Sequence, residues 1–251
     1  MITGAGREAS AGARGKLGII RIEYPLLPQE NLMHGDRIVI ESHHERAAGA
    51  IDGWLQQRHL PGEDRLVLTV AGESGSGKSE TAAALAAALD ARGVGCVIFQ
   101  QDDYFVYPPK SNDRARRADI DWVGPGEVRL DLLDEHLRAF RDGVDTLEKP
   151  LVRYAEDRID CERMSLEGCA VAIAEGTYTT LLASADVRVF IDRDWQATRA
   201  HREKRSRDAA ELDPFIDRVL AIEHDIISAH KARADLVVTA DFSVSPVERS
   251  S

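Results

Sequence analysis

Leu66-Val67-Leu68-Thr69-Val70, followed by Gly72-Glu73-Ser74-Gly75-Ser76-Gly77-Lys78-Ser79, is the stretch that decides the fold. Its first part is a continuous apolar, β-branched run of strand length, which predicts a strand buried on both faces. The second part matches G-x-x-x-x-G-K-[ST] at every specified position. From Ser79 to Arg92 the chain is rich in Ala and Leu and carries no Gly or Pro until Gly93, which predicts a helix with a defined stop. This strand, loop and helix form the setting in which such a loop binds phosphate. Glycines let the backbone turn so that its N–H groups converge on anionic oxygens, and the helix N-terminus adds its positive dipole end. Lys78 then reaches the terminal phosphates of a nucleotide, and the Ser79 hydroxyl serves a divalent cation.

Working outward, Val94 to Gln100 reads as a second buried strand, Ala170 to Ala174 as a third, Val187 to Ile191 as a fourth and Leu236 to Val238 as the last. Between them, Leu130 to Phe140, Trp195 to Arg207 and Phe215 to Arg233 read as helices. Strands alternating with helices imply an α/β fold of the P-loop NTPase type, a parallel sheet with helices on both faces. The domain so defined runs over residues 66–242. Residues 243–251 form a tail, and residues 37–65 are expected to add a short strand at Arg37 to Ile40 and a helix at Glu45 to Gln57, packed on the core. Residues 1–36 are an extension; its first part, to about Gly15, is Gly, Ala and Ser with scattered charge and is expected to be mobile. A weak strand-like alternation follows at Leu17 to Tyr24.

Composition limits the partners. The chain has 251 residues, with 32 Lys and Arg against 43 Asp and Glu, a formal balance of −11 that repels a polyanion, so nucleic acid is not an expected partner. Cys96, Cys161 and Cys169 form no CxxC pair, no apolar run reaches membrane-span length, and no signal-peptide core is evident. The expectation is a cytoplasmic protein with no membrane partner, and a homo-oligomer is allowed. No Asn-Lys-x-Asp base-reading segment of GTPases and no Leu-Ser-Gly-Gly-Gln segment of transporter ATPases is present.

Gln100-Gln101-Asp102-Asp103-Tyr104-Phe105 comes directly after the second strand, at the sheet edge where ligands of open α/β sheets bind. Phosphoryl transfer to an alcohol needs a carboxylate to accept or orient the hydroxyl proton, and Asp102 is the candidate. Glu175 closes the third strand at the same edge, where a carboxylate can hold a metal ion. In an otherwise acidic chain, Arg193, Arg199, Arg202, Lys204, Arg205 and Arg207 form one dense cationic stretch. His43-His44 and Glu223-His224 lack companions at metal-ligand spacing and read as packing or surface residues.

Gly72 to Ser79 taken with Gln101-Asp102-Asp103-Tyr104 resembles the uridine kinase and phosphoribulokinase family. Asp121-Trp122-Val123-Gly124-Pro125-Gly126, Lys149-Pro150-Leu151-Val152-Arg153-Tyr154 and the Glu175-Gly176 pair are further points of similarity, which runs from about Leu66 to Val238. The resemblance implies transfer of a phosphoryl group from ATP, with Mg²⁺, to a hydroxyl of a small molecule. Gly72, Glu73, Ser74, Gly75, Ser76, Gly77, Lys78, Ser79 and Glu80 would bind ATP, and Lys78 and Asp102 would be catalytic. Ser79, Asp102 and Glu175 would serve the metal, and Arg199, Arg202, Lys204 and Arg205 would form a lid. Tyr104, Asp121, Arg153 and Tyr154 would contact the acceptor. Familiar uridine kinases carry a His and an Arg after the Pro-x-Tyr-Asp segment, whereas Tyr154-Ala155-Glu156-Asp157-Arg158 has no His. The acceptor is therefore open among a nucleoside, a non-nucleoside sugar and a sugar phosphate that Arg114, Arg116 and Arg117 could meet. A reading of a different class is a nucleotide-sensing module without chemistry.

Overall fold

A strand that is apolar on both sides has to be covered on both sides, and β1 (Leu66–Gly72) is buried at every position. In the computed structural model, which describes residues 38–62, 64–195 and 213–247, β1 lies inside a six-stranded sheet. The other strands are β2 (Gly95–Gln100), β5 (Cys169–Gly176), β6 (Val187–Ile191), β7 (Leu236–Val238) and β8 (Val244–Pro246), in the order β2-β5-β1-β6-β7-β8. All neighbours are parallel except β8, which runs antiparallel to β7.

One face is covered by α1 (Ser42–Gln57) and α2 (Lys78–Asp90), which pack Ile51, Leu55, Leu85 and Leu89 against Leu68, Val70, Ile173 and Val189. The other face carries α4 (Leu130–Arg141) and α5 (Pro214–Ser228), where Leu133, Leu137, Phe140 and Ile227 meet Val67, Phe99, Ala172 and Phe190. The alternation along each strand divides its side chains between these two cores. Among the described residues no helix is long and apolar enough to cross a membrane.

Four departures from the sequence reading have physical causes. The strand expected over Arg37 to Ile40 does not form in its described part, Ile38–Ile40. Val39 is exposed, and the run leads instead into α1, whose N-terminus is closed by Glu41 N–H donating to His44 Nδ1 at 3.0 Å. An antiparallel hairpin, β3 (Thr146–Arg153) with β4 (Arg158–Ser165), stands as a separate two-stranded sheet. It escaped notice because β3 carries Pro150, which weakens a strand reading, and half of β4 is charged. Helix α3 (Pro109–Ala118) has almost no apolar residues and buries only Asn112, so it has no hydrophobic period to detect. The predicted helix to Arg233 ends as α-helix at Ser228 and continues as a 3₁₀ segment, Ala229–Arg233. The lid residues Arg199, Arg202, Lys204 and Arg205, the rest of the helix predicted after Trp195, the extension 1–36 and the strand at Leu17 to Tyr24 lie outside the described residues.

The hairpin and α3 support each other through the residue that stands in the segment lacking a His. Asp157, at φ +50° in the hairpin turn, accepts from the backbone N–H groups of Lys110 (2.7 Å) and Ser111 (3.2 Å) and from Ser111 Oγ (2.9 Å). It thus caps the first turn of α3 from outside the helix, and Pro109 at the helix start lacks the N–H that would otherwise need a partner. These hydrogen bonds are the main reason its carboxyl is held below the usual range, against the opposing effect of partial burial. Asp157→Gly keeps the left-handed backbone comfortable and removes the cap together with the exposed Arg114 contact at 3.4 Å. It should cost about 1 kcal/mol, read as a lower urea midpoint at unchanged m value.

Candidate active site

The strand-to-helix turn is built by close approach. A Cβ on Gly72 would stand 2.8 Å from the Ile191 carbonyl oxygen, and one on Gly77, at φ +99°, would stand 3.1 Å from His44 Nε2. Gly77 is the N-cap of α2, so Lys78 opens the helix and its free N–H groups lie at the loop. Ser74 and Gly75 are partly exposed at the crest, while Ser76 is buried with its Oγ unpaired among the described residues. Lys78 Nζ donates to the Glu73 carbonyl at 2.9 Å. Glu80 is buried in the first turn of α2.

Glu73 occupies an awkward position, since a carboxylate inside an anion-binding loop opposes the loop's purpose. Its charge is turned away and matched. Oε2 accepts from Trp195 N–H at 2.8 Å, and Oε1 lies 2.7 Å from Nδ1 of His224 on α5. That contact, against partial burial, raises the His224 pKa and favours the imidazolium. Arg193 Nη1 donates to the Ser76 carbonyl at 3.3 Å, and its guanidinium lies 4.8 Å from the Phe242 ring centre.

Strand register assembles the carboxylates. Glu175 pairs with Gln100 of β2 and with Val70 of β1, so it stands between the end of β2 and the phosphate loop. Ser79 Oγ donates to Glu175 Oε1 at 3.2 Å. Burial pushes the Glu175 carboxyl up to about 7, Asp102 adds to the rise, and Lys78 and the Ser79 hydrogen bond oppose it. Gly176 follows Glu175 because Gln101 crosses it: a Cβ there would be 2.3 Å from Gln101 Cβ.

The two neighbouring aspartates separate. Asp103 is buried and structural, accepting from Lys149 Nζ at 2.6 Å and from Val152 N–H at 3.0 Å, and so anchors the hairpin to the end of β2. Asp102 is open to solvent at the carboxyl edge of the sheet. Enough protein crowds its carboxylate to raise its pKa; Lys78 counters this, Asp103 adds to it and Arg116 counters it further. Ser79, Lys78, Asp102 and Glu175 therefore stand at one edge of the sheet, with Ser79 bonded to Glu175 and Lys78 acting on both carboxylates. A divalent magnesium ion bound with a nucleotide takes most of its ligands from phosphate and water and only one or two from protein oxygens. The oxygen donors of Ser79, Glu175 and Asp102 suit that role, although no group of three metal-ligating side chains occurs among the described residues.

The expected acceptor residues are not gathered in this way. Tyr104 is 0% exposed, its hydroxyl 2.8 Å from His136 Nδ1, and it belongs to the core under α4. It has no access to a ligand, and the expectation for it is corrected: an aromatic ring on the buried side of the turn is worth more as core than as lining. Arg153 is paired with Asp160 across the hairpin, Nε to Oδ2 at 3.3 Å. Tyr154 is exposed at the hairpin turn, and Asp121 is exposed on the 3₁₀ turn Ile120–Trp122.

Sequence reasoning missed a buried network beside Asp102. Arg116 of α3 holds Glu127 through both Nε and Nη2, the latter at 2.7 Å from Oε2, and holds Glu223 of α5 at 3.1 Å. Asn112 Nδ2 donates to Glu127 at 3.3 Å and its Oδ1 accepts from Trp122 Nε1 at 2.9 Å. Glu223 and His224 are adjacent in sequence yet serve different partners, Arg116 and Glu73, both far away along the chain. The one available signal was a Glu-His pair interrupting the apolar period of a helix.

The family model described as Phosphoribulokinase / Uridine kinase family matches residues 67–240. The chain belongs to this family of P-loop kinases. It is 30% identical over 194 residues to a bifunctional alpha-galactosidase/sucrose kinase of Mediterraneibacter gnavus, a match covering 72% of this chain and 21% of that protein. It is 23% identical over 183 residues to a uridine kinase of Leuconostoc citreum, covering 69% of this chain and 86% of that enzyme. The chain thus spans about a fifth of the first relative's length and most of the second's. Among solved structures, a D-glycerate 3-kinase of Cryptococcus neoformans shares the fold at a TM-score of 0.55 and 13% identity, covering 82% of this chain and 100% of that one.

The raised Glu175 pKa carries a signed consequence. A carboxyl whose folded pKa lies above its unfolded value costs nothing at low pH and destabilises progressively as pH rises from the unfolded value, near 4.5, to about 7. Glu175→Gln keeps the oxygen that accepts from Ser79 and removes the charge. Without nucleotide it should stabilise the protein by up to about 3 kcal/mol at pH 8 and by under about 1 kcal/mol at pH 5, measured by thermal melts at the two values.

Proposed function

We propose that this chain transfers the γ-phosphoryl group of ATP to a hydroxyl of a small molecule. The observation that carries the reading is the position of Asp102, released from structural duty by Asp103 and set beside Lys78 and Glu175 at the end of β2. A general base needs access to its proton and a pKa moved toward working pH, and Asp102 has the first and shifts in the direction of the second.

The roles follow from the chemistry of the reaction. The loop N–H groups and Lys78 hold the β- and γ-phosphates in line with the acceptor oxygen, and little covalent work is left for the protein. To do this Lys78 exchanges the Glu73 carbonyl for phosphate oxygens. Asp102 accepts the hydroxyl proton as the acceptor oxygen bonds to phosphorus and the bond to ADP breaks. Mg²⁺ bound with the nucleotide supplies charge neutralisation, and Ser79, Glu175 and Asp102 are the residues that would hold it. Asp121 and Tyr154 remain candidates for the acceptor side, and Arg199, Arg202, Lys204 and Arg205 for closing over the phosphates. The named relatives point to two acceptor types, a sugar in the sucrose kinase and a nucleoside in the uridine kinase. Three free thiols, Cys96, Cys161 and Cys169, favour a reducing, cytoplasmic setting.

The test is Asp102→Asn assayed with Mg-ATP against a panel of nucleosides and sugars. Turnover should fall by about 10²–10⁴-fold while ATP still binds with nearly unchanged affinity by calorimetry. Full activity in the variant, or no acceptor turned over by the native chain, would overturn the proposal.

A further inference from the structure

Several buried carboxylates of this chain are matched by cations that keep their charge at any working pH. Asp52 has Arg92, Asp103 has Lys149, and Glu127 and Glu223 share Arg116. Glu73 departs from the pattern. Its side chain, 8% exposed inside the phosphate loop, is matched by His224, whose side chain is 41% exposed and open to proton exchange with solvent. An imidazole changes its charge near neutral pH, where arginine and lysine do not. The charged groups that act on His224 among the described residues are all acidic: Glu73 from the loop after β1, Asp225 on α5 itself and Asp194 from the segment after β6. Glu223, its neighbour on α5, is turned to Arg116.

Two partners divide the work of holding Glu73. Trp195 N–H donates to Oε2 at 2.8 Å and fixes the side chain whether or not His224 is protonated. His224 Nδ1, 2.7 Å from Oε1, sets the charge. With the imidazole protonated, carboxylate and imidazolium cancel, and a polyphosphate meets only the loop N–H groups and the Lys78 ammonium. With the imidazole neutral, one negative charge stays buried in the loop, where solvent screens it weakly. The hydrogen bond to Glu73 and the neighbouring acidic groups raise the His224 pKa against partial burial. Because the shift is upward, the imidazolium contribution is full below the ordinary value of 6.5 and fades as pH rises through the raised one.

We infer that His224 is a positioning residue for the nucleotide, acting through Glu73: its proton neutralises the loop carboxylate, so protonation of His224 and binding of the triphosphate favour each other. The inference rests on the nucleotide-binding step of the phosphotransfer reading and is independent of the acceptor. Dissociation constants for Mg-ATP would be measured by calorimetry without acceptor, at about pH 6 and about pH 9, on either side of the imidazole titration. The native chain, His224→Gln and the double variant Glu73→Gln/His224→Gln would be compared, each checked for folding by circular dichroism. Asp102 and Glu175 are present in all three, so ratios to the native chain cancel their titration. His224→Gln should weaken binding about three- to tenfold at the lower pH and leave it within about twofold of native at the higher. The double variant, neutral at both positions, should return to native affinity at the lower pH and bind about three- to tenfold more tightly than native at the higher. A lost packing contact would not be restored by removing its partner as well. Equal weakening of His224→Gln at both pH values, no weakening at the lower, or a double variant weaker than the single one would overturn the inference while leaving phosphotransfer standing. No binding of Mg-ATP by the native chain at either pH would overturn both.

Discussion

Placing β5 between β1 and β2 is the constraint on which the rest depends. Parallel pairing with both neighbours sets Glu175 level with Gln100 on one side and Val70 on the other. Three strand ends then deliver the phosphate loop, the Gln101-Asp102 turn and the Glu175 carboxylate to one edge. The arrangement is bought with stability, because a carboxylate on a fully covered strand is carried well above its ordinary pKa. The glycine after Glu175 belongs to the same device, since only the lack of a Cβ lets the Gln101 side chain cross β5 and hold Tyr178.

The pair Asp102-Asp103 shows how adjacent identical residues divide between architecture and chemistry. In the short 3₁₀ segment Gln101–Tyr104, side chains diverge at each step, so Asp102 turns outward to the sheet edge and Asp103 inward to Lys149 and Val152. The inward one docks a hairpin that has no other sheet to join. The hairpin in turn caps α3 through Asp157, and α3 carries Arg116 back toward the base. A chain of contacts therefore links the end of β2 with the buried network of Arg116, Glu127 and Glu223.

Much of this was legible before any coordinates. The five parallel strands showed as predominantly apolar runs, Val187 to Ile191 even with Arg188 inside it, and the phosphate loop as a complete pattern between a strand and a helix. What stayed hidden had no local signature. Helix α3 has almost no apolar residues and depends on a cap from a distant turn, half of β4 is charged, and the partnership of Glu73 with His224 spans the greater part of the chain. Tyr104 was misjudged because an aromatic residue after two aspartates reads equally well as lining or as core, and only its packing under α4 decides the matter.

Glu73 uses its backbone and its side chain for opposite ends. The carbonyl occupies the Lys78 ammonium, and the carboxylate is tied to Trp195 N–H and His224. The loop is thus held in shape by an internal surrogate for the anion, so an arriving polyphosphate exchanges one oxygen ligand of the lysine for another and has little chain to order. Association should then carry a small entropic penalty and a modest enthalpy, as in a displacement reaction, where a slack loop would show the large opposing heat and entropy of coupled folding.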